Sequence, residues 1–143
     1  MNIKDYKYKI ETHAHTSPMS PCADFTPEEV IKKYAEIGFT AIAITNHFSN
    51  GVFAGDNKET VKKRFLSDFY ASYEAGEKHG IKVILGMEIR FPQSSNDYLV
   101  YGFSEDDIDL MFDLSFTDCA TFYNEFKNDK NVILQAHPFR DGM

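Results

Sequence analysis

Four of the five histidines in this 143-residue chain directly follow short hydrophobic runs that have the composition of β-strands. A further apolar run, residues 81–87, ends at Glu88. Because side chains alternate along a strand, the two histidines of a His-x-His sequence point to the same face. The fold must therefore bring several strand ends, each with a polar side chain, to defined positions. The histidines that follow such runs are His13, His15, His47 and His137.

Helix signals separate these runs. Thr26 is a suitable N-cap, because Pro27 takes the first helical position and Glu29 follows three residues after the cap. Gly38 and Gly80 mark the ends of two predicted helices, the second of which covers residues 58–79. A later helix is predicted through Phe122 and Phe126. The predicted strands are a run ending near His13 and residues 39–45, 81–89, 98–103 and 132–136.

Strands and helices that alternate in this way predict a mainly parallel sheet, either open and doubly wound or curled into a barrel. In a barrel, the carboxyl ends of all strands converge on one mouth, so polar residues from four separate strands can meet there. An open sheet would spread the same residues along its edge. The positions of the histidines therefore favour an α/β fold with a barrel-like sheet.

Composition limits the function. Apolar residues make up 43% of the chain, enough for the core of one domain. The net charge of −7 argues against binding to duplex nucleic acid, which normally requires a basic face. No apolar run approaches the ~20 residues that span a bilayer, and the N-terminus lacks a signal-peptide core. We expect a cytoplasmic protein in which Cys22 and Cys119 are reduced thiols.

A metal site explains the histidine pattern better than independent hydrogen-bonded histidines would. Imidazole and carboxylate together suit zinc, iron or manganese, whereas calcium takes oxygen ligands alone. We therefore predict that divalent metal is bound by His13, His15, His47, Glu88 and His137. His79 is interpreted as structural, because it lies at a helix end where an imidazole interacts favourably with the helix dipole.

The motifs also resemble a known family. In their order and positions, the four motifs are similar to those of the PHP (polymerase and histidinol phosphatase) family, including bacterial members with a stand-alone metal-dependent phosphoesterase domain. The resemblance implies a distorted (β/α)7 TIM-like barrel that holds up to three divalent ions, usually manganese, iron or zinc. It also implies catalytic roles for His13, His15, Glu88 and His137. The motifs are His13-Ala14-His15-Thr16, Thr45-Asn46-His47, Gly86-Met87-Glu88 and Ala136-His137-Pro138.

Three features depart from the family pattern. Asn46 replaces the usual aspartate, which supports the neighbouring histidine, so we expect Asn46 to weaken the orientation of His47 rather than to abolish binding. Where many members carry a metal-binding histidine, this chain offers only Asp97 and Tyr98. The late Asp-x-His motif is missing. With about five predicted strands, residues 1–143 are expected to form the N-terminal part of one PHP domain.

The resemblance implies that a metal-activated water hydrolyses a phosphate ester of a small molecule or a nucleotide. Arg90 and Arg140 are candidates for binding the phosphate, or they pair with surface carboxylates. Cys22 is a candidate ligand or a loop-packing residue. Two other functions remain open, a non-catalytic PHP module of a larger protein such as a polymerase, and an amidohydrolase-type metal hydrolase. An open barrel edge would also favour self-association.

Overall fold

The computed structural model describes residues 5–140. Helices and strands alternate through the first two thirds of these residues, close to the predicted positions. The strands are β1 (Ile10–Ala14), β2 (Ala41–Ile44), β3 (His47–Phe48), β4 (Lys82–Arg90), β5 (Asp97–Tyr101) and β6 (Val132–Gln135). The helices are α1 (Pro27–Glu36), α2 (Asn50–Phe53), α3 (Lys58–His79), α4 (Ile108–Leu114) and α5 (Cys119–Phe126), with a 3₁₀ turn at Glu105–Asp107.

The two predicted helix starts and stops are confirmed. The Glu29 carboxylate accepts a hydrogen bond from the Thr26 backbone N–H at 2.8 Å, while the Thr26 side chain accepts one from the Glu29 N–H. This reciprocal pair is the capping box that the sequence indicates for α1. Helix α3 spans the predicted 22 residues and ends at Gly80, whose φ of 73° suits a residue without a Cβ.

The sheet is mainly parallel, as predicted, but it contains one antiparallel strand. Its strand order is β1-β2-β4-β5-β6, and the short β3 pairs with β4. Strands β1, β2 and β4 are parallel, as predicted, but β5 is antiparallel to both β4 and β6. The prediction is wrong for β5 because residues 91–96, which join it to β4, are too few for a parallel crossover. They form a hairpin instead.

Helices cover one face of the sheet and form two apolar clusters. The smaller cluster packs α1 and α3 against β1, β2 and the start of β4. The larger one is rich in phenylalanine and packs α2 to α5 against β4 and β5. Its fully buried aromatic residues are Phe48, Phe53, Phe65 and Phe122. The buried members of the smaller cluster are Ala14, Ile31, Ile42, Ile44, Ala75, Ile81 and Val83.

The opposite face of the sheet is concave and apolar. Residues from β1, β2, β4, β5 and β6 line an open cavity of about 390 Å³, and all of them are uncharged. The Tyr101 hydroxyl donates a hydrogen bond across this face to the Thr12 carbonyl, which links β5 to β1. Ile10, Val132 and Leu134 stay about half exposed. This curled sheet matches the expected incomplete TIM-like barrel of about five strands.

None of the helices in the described residues is long and apolar enough to cross a membrane.

Candidate metal centre

An irregularity in β1 turns His13 and His15 toward the mouth of the sheet. The pairing of β1 with β2 shifts register between Glu11 and Ala14, as in a β-bulge. Ala14 is consequently buried under the helices, while both histidines face the mouth of the curled sheet. Their Nε2 atoms lie 3.0 Å apart, and their ring centroids are 5.0 Å apart. The predicted same-face arrangement is therefore present; alternation places both rings on one side, and the bulge turns that side to the mouth.

Glu88 is the centre of the cluster. Its side chain is 1% exposed, and both carboxylate oxygens contact histidines. Oε2 lies 3.2 Å from His13 Nε2, 3.1 Å from His15 Nε2 and 3.1 Å from His47 Nδ1. Oε1 lies 3.1 Å from His137 Nε2. All five residues that the sequence predicts as metal ligands thus converge on one point, although they come from four separate segments.

The sheet explains this convergence. In the parallel pairing of β3 with β4, His47 lies directly opposite Glu88. His137 follows the end of β6, and its φ of 31° lies in the left-handed region. For a residue with a side chain, that conformation costs of order 1–3 kcal/mol, and such strain is concentrated at functional sites. His137 is therefore held in place at an energetic cost.

Asn46 supports the cluster differently from the predicted way. The resemblance implies that this position orients His47; in the structure, Asn46 Oδ1 accepts hydrogen bonds from the Thr16 backbone N–H at 2.7 Å and from the Ser20 hydroxyl at 2.9 Å. Ser20 Oγ in turn lies 3.1 Å from His15 Nδ1 and accepts the His47 backbone N–H at 2.9 Å. Asn46 therefore acts through Ser20, chiefly on the orientation of His15.

A buried carboxylate holds this hydrogen-bond network in place. Asp68 of α3 is 4% exposed. It accepts hydrogen bonds from the Thr16 hydroxyl at 2.8 Å and from the Met19 backbone N–H at 3.1 Å. The Asn46 side-chain amide completes the network by donating to Thr16 Oγ1 at 2.8 Å. Sequence reasoning missed Asp68 because it lies in the middle of a helix, far along the chain from Thr16.

The histidines keep Glu88 ionised. Burial alone would raise the pKa of its carboxyl, but hydrogen bonds from His13 and His15 outweigh burial and hold that pKa well below its usual range. The bond with Glu88 raises the pKa of His13 in return. Burial lowers the pKa of His47, which favours its neutral form. A buried carboxylate surrounded by imidazole nitrogens is a strong ligand set for a divalent cation.

The predicted phosphate ligands Arg90 and Arg140 lie at the same mouth, but both face Asp97. Arg90 Nε and Nη2 each lie 2.7 Å from an oxygen of Asp97. Arg140 Nη2 lies 3.9 Å from Asp97 Oδ2. The sequence indicated Asp97 only as the residue at a position where a histidine is common, and did not indicate its arginine partners.

The donor set fits a divalent metal ion of the zinc, iron or manganese class. Three overlapping groups have ligand atoms within 4.8 Å of one another. One group includes Cys22, whose thiol pKa is raised by burial, which disfavours the thiolate that binds metal. The residues line an open cleft of about 360 Å³. The groups are His13, His15 and Glu88; His15, Cys22 and His47; and His47, Glu88 and Asp97.

His79, which the sequence analysis interprets as structural, lies outside this cleft. Its Nε2 is 2.9 Å from Glu28 Oε1, and Lys78 Nζ contacts the same oxygen at 2.8 Å. The contact joins the end of α3 to the start of α1. These interactions, first that of Lys78 and then that of His79, lower the pKa of Glu28 to about 2.

The sequence profile of the PHP domain family matches residues 11–138, which include all five clustered residues. This chain belongs to the PHP domain family. Its curated relatives include PolC-type DNA polymerase III proteins. That of Streptococcus mutans is 28% identical over an aligned length of 146, gaps included; the match covers 93% of this chain and 9% of the relative. That of Oceanobacillus iheyensis is 29% identical, with 82% of this chain and 7% of the relative covered.

A crystal structure from Bifidobacterium adolescentis has the same fold as this PHP domain. That protein is proposed to be a metal-dependent phosphoesterase. The two superpose with a TM-score of 0.52 at 21% identity, and the match covers 74% of this chain and 32% of the other. The chain thus spans about a third of the length of this neighbour and under a tenth of that of the polymerases.

Proposed function

We propose that this PHP domain binds divalent metal and takes part in the hydrolysis of a phosphate ester by a metal-activated water. The observation that carries the proposal is the contact of one buried, ionised carboxylate, Glu88, with four histidines at 3.1–3.2 Å. A structural cluster would have little need for so many polar groups in one open cleft. Perturbed carboxylates and imidazoles in a cleft are typical of active sites.

Each residue has a proposed task. His13, His15 and Glu88 hold the central metal ion. His47 and His137 hold the same ion or neighbouring metal ions. Manganese, iron or zinc fits these donors, and we propose up to three ions, the number that the family resemblance implies. When bound, such ions lower the pKa of water and stabilise the charge of the phosphoryl oxygens. Their charge also offsets the negative charge of the protein at the mouth.

Arg90 and Arg140 are the proposed phosphate-binding residues of the cleft. Arg90 and Arg140 keep 43% and 51% of their side chains exposed, so their guanidinium groups can contact a substrate that enters the mouth. Guanidinium groups match the geometry of phosphoryl oxygens. The proposed substrate is a phosphorylated small molecule or a nucleotide.

The test combines metal content with activity. Protein purified without chelators is analysed for bound metal and is assayed with p-nitrophenyl phosphate and added manganese. We expect His137→Ala to lower the rate of hydrolysis by ~100-fold or more, because even residues that only support metal ligands contribute ~10–100-fold. His79→Ala is the matched control, since His79 lies outside the cleft, and it should stay within about twofold of the wild type.

A second candidate is a metal-binding module without its own catalysis. The similarity to PolC-type polymerases favours it, because this chain corresponds to less than a tenth of those proteins. The same experiment separates the two. Bound metal without hydrolysis of any phosphate ester, in a folded wild-type protein, would favour the module and contradict the phosphoesterase.

A further inference from the structure

Asp97 is the second buried carboxylate of the cleft. It is the first residue of β5, and its side chain is 2% exposed. In the antiparallel pairing of β4 with β5, Asp97 lies directly opposite Arg90. Arg90 Nε donates to Oδ1 and Arg90 Nη2 donates to Oδ2, both at 2.7 Å. This bidentate, charge-assisted pair is among the strongest and most directional that side chains form.

A second guanidinium approaches the same carboxylate. The backbone N–H of Arg140 donates to the His137 carbonyl at 3.1 Å, which closes a turn and directs the chain back toward β5. Arg140 Nη2 then lies 3.9 Å from Asp97 Oδ2. Asp97 is therefore buried against the two arginines and His137, whose Nε2 lies 3.7 Å from Asp97 Oδ2, while both arginines line the open cleft.

The position of Asp97 allows two roles. It lies close enough to Glu88 and His47 to ligate a metal ion. However, both of its oxygens already accept short hydrogen bonds from Arg90, and the hydrogen bond with Asp97 raises the pKa of that guanidinium further. Rotation toward a metal ion would break this pair and bring a divalent cation close to a fixed positive charge. The arginine role is the better match to the geometry.

We propose that Arg90, Arg140 and Asp97 form an anion-binding subsite for the phosphoryl group, in which Asp97 is a positioning residue and not a metal ligand. The two arginines and the single carboxylate leave one net positive charge beside the metal centre. Asp97 holds the Arg90 fork in a fixed orientation at the lining of the cleft, and the N–H groups that Asp97 does not accept are left for an anion. The inference rests on the proposed function only in naming phosphoryl oxygen as the anion.

The experiment measures metal content and phosphate affinity separately. Asp97→Asn keeps the size of the side chain and removes its charge. We expect it to keep the metal stoichiometry of the wild type and to weaken the binding of inorganic phosphate to the manganese-loaded protein by about tenfold or more, as for a lost charge-assisted contact. Elemental analysis gives the stoichiometry, and isothermal titration calorimetry gives the affinity.

Arg90→Lys is the second variant, because it keeps Asp97 and the positive charge but loses the fork. It should weaken phosphate binding by a similar factor and leave metal content unchanged. Arg64→Lys is the matched control, since Arg64 pairs with Asp56 away from the cleft. Thermal denaturation of each variant verifies folding, and if Asp97→Asn does not fold, Arg90→Lys decides alone.

Two results would overturn the subsite. Loss of metal in folded Asp97→Asn would make Asp97 a ligand, and unchanged phosphate affinity in Arg90→Lys would remove the arginine from the binding site. Failure of the phosphoesterase proposal looks different. In that case the wild type binds phosphate and depends on Arg90 for it, yet hydrolyses no ester.

Discussion

Glu88→Gln is the most direct test of the metal centre. The substitution keeps the shape of a side chain that is 1% exposed, but it removes the charge that four imidazole nitrogens contact at 3.1–3.2 Å. Residues that only support metal ligands contribute ~10–100-fold to metal affinity. A central carboxylate ligand should exceed that range, so we expect at least ~100-fold weaker binding, or about 2.8 kcal/mol.

The fold should tolerate this change. Each hydrogen bond to the charged carboxylate contributes about 1.5–3 kcal/mol, but burial of the charge costs several kcal/mol in the opposite direction. The histidines can lose their protons, so glutamine leaves no buried charge without a partner. The free energy of unfolding of the metal-free protein should therefore change by less than about 2 kcal/mol.

The assay is titration of chelator-treated protein with manganese or zinc in a calorimeter, with urea unfolding of the same samples. Glu28→Gln is the control, because it removes an exposed glutamate that contacts Lys78 and His79 far from the cleft. Metal affinity of folded Glu88→Gln within threefold of the wild type would refute the reasoning. Glu88 would then serve only to hold the histidines together.

Three further predictions concern metal, packing and assembly. A His13→Ala, His15→Ala double variant should lose more than half of the metal that the wild type retains; elemental analysis showing less loss would contradict their role as ligands. Gly76→Ala should destabilise the protein by ~1–3 kcal/mol in urea unfolding, because the added Cβ would lie 2.6 Å from a backbone oxygen. The control is Gly51→Ala, whose Cβ would enter open space, so this variant should be neutral or stabilising by ~0.5–1 kcal/mol. We also propose that a second copy of the chain covers the uncharged concave face, because β1 and β6, at the two edges of the sheet, run in the same direction and can pair between copies. Leu134→Lys should then lower the average mass that light scattering measures. A wild-type protein that stays monomeric at all concentrations would contradict this.

The sequence predicts helices and site residues well where local chemistry decides them. The capping box at Thr26 and the glycine at the end of α3 act within a few residues, so α1 and α3 lie where expected. The histidines could be predicted to converge because strand ends meet in any curled sheet of parallel strands. Neither inference requires knowledge of how distant segments pack.

The direction and register of the strands could not be predicted from the sequence in the same way. The apolar run of β5 has the same composition whether the strand is parallel or antiparallel, and only the short connection after Arg90 decides it. Once that hairpin forms, Arg90 and Asp97 become cross-strand neighbours, a relation that their separation in sequence does not reveal. The bulge in β1 is equally hidden, because alternation alone predicts His13 and His15 on one face without it.

The hairpin between β4 and β5 also affects the balance of charge in the cleft. Glu88 and Asp97 are both nearly inaccessible to solvent and lie close together, and a buried carboxylate is costly unless a cation or a hydrogen-bond donor accompanies it. Their main partners differ: imidazoles surround Glu88, and the Arg90 guanidinium pairs with Asp97, while His137 Nε2 lies 3.1 Å from Glu88 Oε1 and 3.7 Å from Asp97 Oδ2. A parallel β5 would carry Asp97 to the opposite end of the sheet. The antiparallel turn therefore places both the second carboxylate and the arginine that neutralises it at the mouth, which leaves Glu88 and its histidines available for metal.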